Sequence, residues 1–74
     1  MPKYSQEEIE DIFFAKNIRR DGKLFYSELR LALLSVGLDV HNKEIDQYMK
    51  QFNKTNNGHL TIEEFTELMN SLFQ

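Results

Sequence analysis

Apolar side chains recur at helical spacing in four separate stretches of the chain. The first holds Ile9, Ile12 and Phe13, with Lys16 completing the i, i+3, i+4, i+7 face. The second runs from about Ser27 to Val36 and puts Leu29, Ala32, Leu33 and Val36 on one stripe. The third repeats the spacing with Ile45, Tyr48, Met49 and Phe52, and the fourth with Phe65, Leu68, Met69 and Leu72. Punctuation agrees with these stretches. Ser5 followed by Glu8 is the pattern of a capping box, and Gly37 stands where a left-handed residue would close the second helix. Strand-like pieces are confined to Lys23-Leu24-Phe25-Tyr26 and His59-Leu60-Thr61-Ile62, each just after a glycine. The pattern predicts an all-α chain of four helices with two short extended pieces.

The four stretches are not independent. A shift of 36 residues lays Ile9 on Ile45, Asn17 on Asn53, Gly22 on Gly58, Leu24 on Leu60, Glu28 on Glu64 and Ser35 on Ser71. One helix–loop–helix unit is therefore written twice, over about residues 5–37 and 41–73. Each unit holds a twelve-residue loop, 17–28 and 53–64, with glycine at position 6, leucine at position 8 and glutamate at position 12. Glycine permits the sharp turn, and the leucine points inward, so the two loops pair as a short antiparallel ribbon. The glutamate opens the exiting helix and is the residue that a calcium loop uses as its bidentate ligand. These are the marks of an EF-hand loop, and two at this spacing make a strong signal.

Composition narrows the function. The 74 residues include no cysteine, which excludes disulfides, thiol chemistry and cysteine-ligated zinc. Nine basic against twelve acidic residues give a net charge of −3, against a nucleic-acid binder and mildly in favour of a cationic partner. No stretch approaches the roughly 20 apolar residues of a membrane span, and the first residues lack the apolar core of a signal peptide. His59 falls at loop position 7, where the backbone carbonyl matters, and His41 sits near a helix start. The serines have no base partner in sequence. Nothing in the chain predicts catalysis.

Over nearly its whole length the chain resembles one calmodulin-type lobe, and it departs from that pattern at the ligand positions. Side-chain oxygens belong at positions 1, 3, 5 and 12, with position 9 often acting through water. The first loop offers Asn17, Arg19, Asp21, Phe25 and Glu28: a cation at position 3 and no oxygen at position 9. The second offers Asn53, Thr55, Asn57, Thr61 and Glu64, oxygens throughout but one carboxylate. Affinity follows ligand charge, so no metal and no cofactor are expected. Any residual binding would be weak and would use Asn53, Thr55, Asn57, the His59 carbonyl and Glu64.

The resemblance implies a groove for a partner helix. Position by position, Ile9, Ile12, Phe13, Leu29, Leu33, Val36, Tyr48, Met49, Phe52, Leu68, Met69 and Leu72 match the family's groove residues. Lys16 is the exception, standing where an aromatic usually precedes the loop. The acidic residues Glu7, Glu8 and Asp11, with Glu10 among them, are expected as a rim for a basic helix. Phe14, Leu31, Leu34 and Phe73 add apolar side chains beyond what one small core consumes. Degenerate loops and a single lobe also resemble the half-length light chains of class I myosins. Those grip IQ-motif helices of the myosin neck without calcium. That resemblance implies a non-enzymatic cytoplasmic adaptor, monomeric when free and complete as one lobe, that stiffens the lever arm at the actin-rich cortex and does not itself insert into a membrane. The competing expectation is a weak calcium sensor acting through the second loop. A calcium-binding homodimer of the S100 kind fits less well, because its first loop is longer than twelve residues.

Overall fold

The computed structural model describes residues 4–17, 21–53 and 58–73. Four helices, α1 (Gln6–Lys16), α2 (Tyr26–Ser35), α3 (Asn42–Phe52) and α4 (Ile62–Leu72), alternate in hands with two strands, β1 (Leu24–Phe25) and β2 (His59–Leu60). The elements fall where periodicity predicts them. Helix α2 begins at Tyr26, and the extended pieces shrink to two residues each.

Capping explains these boundaries. The Ser5 Oγ accepts from the Glu8 N–H at 3.2 Å while the Glu8 carboxylate accepts from the Ser5 N–H at 2.9 Å, which completes the expected capping box. Thr61 and Glu64 build the same reciprocal pair at the start of α4. Phe25 caps α2 without a side-chain oxygen, so Glu28 alone serves that end by accepting from the Phe25 N–H at 2.9 Å. Helix α2 closes in a Schellman motif. The Gly37 N–H donates to the Leu34 carbonyl and the Leu38 N–H to the Leu33 carbonyl, with Gly37 left-handed at φ 86°. That turn drops Leu38 back onto the core.

Helix α1 packs on α2 and α4, and α3 packs on α2 and α4, so the four helices close a ring around one core. Its centre is Phe13 and Phe65, with ring centroids 5.8 Å apart, surrounded by Ile9, Leu29, Ala32, Leu33, Ile45, Leu68 and Met69. Tyr4 meets Phe73 edge-on at 5.2 Å and ties the two ends of the described chain together. No helix among the described residues is long and apolar enough to cross a membrane.

Candidate functional site

The two loops meet where β1 and β2 pair antiparallel, Leu24 opposite Leu60 and Phe25 opposite His59. Both leucines are fully buried, which anchors loop position 8 of each hand in the core. Phe25 and His59 lie against each other with ring centroids at 5.4 Å, and His59 is half-buried by that contact. Its side chain thus belongs to the ribbon.

The ligand positions are built unequally. Glu28 and Glu64, at position 12, are both buried, and in each the Oε1 accepts from the position-9 N–H at 2.9 Å. The carboxylate at position 12 thus also caps α2 or α4. Asp21 turns its Oδ1 onto the Lys23 N–H at 3.0 Å. Asn17 and Asn53, at position 1, are buried behind the C-terminal ends of α1 and α3, where their backbone N–H groups donate to the carbonyls of Phe13 and Met49. Asn53 has a further partner, whereas both polar atoms of the Asn17 amide are buried without a hydrogen bond among the described residues. An orphaned amide of this kind is unusual, since such a group loses water without regaining a hydrogen bond. The sequence gives no signal for this, because the identical asparagine one repeat later is satisfied. Arg19, Thr55 and Asn57 lie outside the described residues.

This donor set does not fit a tight calcium site. Seen from the first loop, the described donors are one amide and two carboxylates, and Glu28 is already capping a helix. From the second, Glu64 is the single carboxylate, likewise capping, and Thr61 holds the Glu64 N–H. Among the described residues no group of three or more His, Cys, Asp or Glu side chains is arranged to hold a metal ion.

The groove residues divide into two sets. Ile9, Phe13, Leu29, Leu33, Leu68 and Met69 are fully buried in the core. Ile12, Val36, Tyr48, Met49, Phe52 and Leu72 are half-buried and pack around it. In this state half of the twelve expected groove residues belong to the core and half to its margin. In a lobe this small the same apolar stripes supply much of the interior. Glu8 is occupied in the capping box, and steps of about 100° per residue put Glu7 and Asp11 on the side of α1 opposite Ile9 and Phe13. Both are exposed there, away from the core face.

One tether went unread in the sequence. The Tyr26 hydroxyl donates to the Asn42 carbonyl at 2.8 Å and joins the start of α2 to the start of α3. Partial desolvation, with the Asp46 carboxylate nearby, raises the Tyr26 pKa, and Arg30 opposes the shift.

Two helix–loop–helix hands back to back, joined by a two-residue ribbon and sharing one core, define the class: a paired-hand lobe. Residues 5–70 match the family model of the EF-hand domain pair, and the chain belongs to that family. It is 31% identical over 68 residues to calcium-binding protein CML19 of Arabidopsis thaliana, covering 92% of this chain and 41% of the relative. Human centrin-3 is 28% identical over 64 residues, covering 86% of this chain and 38% of the relative. Cell division control protein 31 of Schizosaccharomyces pombe is similar to the same degree, 28% over 64 residues, 86% of this chain and 36% of the relative. The chain thus spans about two fifths of the length of these relatives. None of the three is named for a catalysed reaction.

Proposed function

We propose that this lobe grips a basic amphipathic helix without calcium, as a light chain does on an IQ helix of a class I myosin neck. The observation that carries the reading is the ligand content of the loops. Asparagine stands at position 1 of both and Arg19 at position 3 of the first, which leaves Asp21 and Glu28 as the carboxylates at the first loop's ligand positions and Glu64 alone at the second's. A lobe that calcium does not open has to bind by yielding to its partner. The six half-buried apolar residues, with Met69 and Leu68 behind them, are the surface such a helix would enlarge. Binding also supplies stability that a disulfide-free 74-residue chain otherwise lacks, because a ligand of the folded state stabilises it by mass action. The step from a helix partner to a myosin neck rests on resemblance to single-lobe light chains.

Calorimetric titration with a synthetic IQ helix tests the reading. The affinity is expected to be the same in chelator and in millimolar calcium. Met49→Glu and Leu72→Glu, at half-buried positions, are expected to weaken it by about tenfold or more, the loss typical of a truncated interface anchor. Binding that appears only with calcium would overturn the reading.

A second reading has its own support. The relatives include proteins named for calcium binding, and the second loop carries a side-chain oxygen at each ligand position, Asn53, Thr55, Asn57, Thr61 and Glu64. On that reading the lobe is a weak calcium sensor with a different amphipathic target.

A further inference from the structure

The two hands differ on their outer surfaces. Helices α3 and α4 are cleanly amphipathic, with Gln47, Lys50, Glu63 and Glu67 turned outward. Helices α1 and α2 break that pattern, with large apolar side chains set among polar ones on the side away from the core. Their outward faces carry Phe14, Leu31 and Leu34, the large hydrophobic side chains exposed among the described residues, at 56%, 44% and 48%. Because α1 and α2 pack on each other, their outward strips form one surface. Phe14 and Leu31 stand at matching heights on it, each three residues from an end of the first loop.

Charge identifies the occupant. Glu7 and Asp11 fall on the same strip of α1 as Phe14, at i, i+4 and i+7. Both are exposed and, among the described residues, make no ion pair. Arg30 is the basic side chain on the outward side of α2. The chain as a whole is acidic, which disfavours a second copy as the occupant. We propose that the outward face of the first hand is a docking surface for a basic amphipathic segment, separate from the core-side groove and independent of what the groove binds. Phe14, Leu31 and Leu34 take its apolar residues, and Glu7 and Asp11 face its lysines or arginines.

The test uses methyl-labelled protein and a synthetic amphipathic helix of leucine and lysine, with a leucine–glutamate peptide as control. The leucine–lysine peptide is expected to shift the methyl signals of Leu31 and Leu34 and the ring of Phe14. The leucine–glutamate peptide should leave them in place. The Phe14→Ser, Leu31→Thr, Leu34→Gln variant changes half-exposed positions; with its helical circular dichroism unchanged, it should lose the calorimetric binding of the leucine–lysine peptide that the parent shows. Glu7→Gln with Asp11→Asn should weaken binding about threefold to tenfold at low salt, the range for two exposed ion pairs. The proposal fails if only the buried Leu29 and Leu33 methyls move, if both peptides act alike, or if neither acts. It also fails if sedimentation shows the free protein to be a dimer whose formation covers Leu31 and Leu34.

Discussion

Phe65→Ala is expected to remove a large share of the protein's stability and to lower its urea midpoint far below that of the parent. The Phe65 ring is fully buried, stacks at a tilt on Phe13, and stands at the centre of the only core that the described residues build. Deleting a buried aromatic side chain costs about 3–5 kcal/mol, through lost transfer energy and the cavity left behind. A chain of this length has about 4–11 kcal/mol in total. No disulfide limits the loss. Urea denaturation followed by circular dichroism checks this, and an IQ helix in excess should recover part of the signal. A variant that unfolds at the urea concentration of the parent would show that the core is built elsewhere.

Asn17→Asp has the second large effect, and its sign depends on the medium. The amide sits at 1% exposure with both polar atoms unpartnered, so a carboxylate there would be a buried charge with nothing to balance it. In chelator at neutral pH the substitution is expected to cost about 2–4 kcal/mol. Burial without a partner raises that carboxyl's pKa above its unfolded value. The penalty is therefore full above the folded pKa and shrinks as pH falls through it. With calcium the same carboxylate joins Asp21 and Glu28 in the first loop, and stability should return. Melting curves in chelator and in calcium, at neutral and at acid pH, read all of this. Equal stability in both media would mean that Asn17 faces water or another group, and not the interior of its loop.

The sequence and the structure agree best where periodicity and loop spacing act together. Ile9 to Phe13 and Phe65 to Met69 announce helices by their spacing, and the 36-residue repeat fixes the ribbon before any geometry is known. Leu24 opposite Leu60 is simply position 8 opposite position 8. Agreement ends where a residue's role depends on its surroundings. Leu33 and Met69 carry the same stripe signal as Val36 and Leu72, but packing makes the first pair core and the second pair margin. Asn17 and Asn53 are the same residue at the same loop position with nearly the same backbone, φ −83° and ψ 76° against φ −82° and ψ 82°, so neither residue type nor its own backbone tells them apart. Glu7 and Asp11 read as part of an acidic cluster, and the turn of α1 carries them to its far side.

The reading rests on loops that do not take calcium and a lobe that binds regardless. Amide spectra of the labelled free protein during a calcium titration test this most directly. Gly22 and Gly58 sit at position 6 of their loops with φ 74° and 84°, and an amide there moves far downfield when its own loop fills. Neither is expected to move at up to millimolar calcium. A large downfield shift of either one would contradict the account and make that loop a calcium sensor.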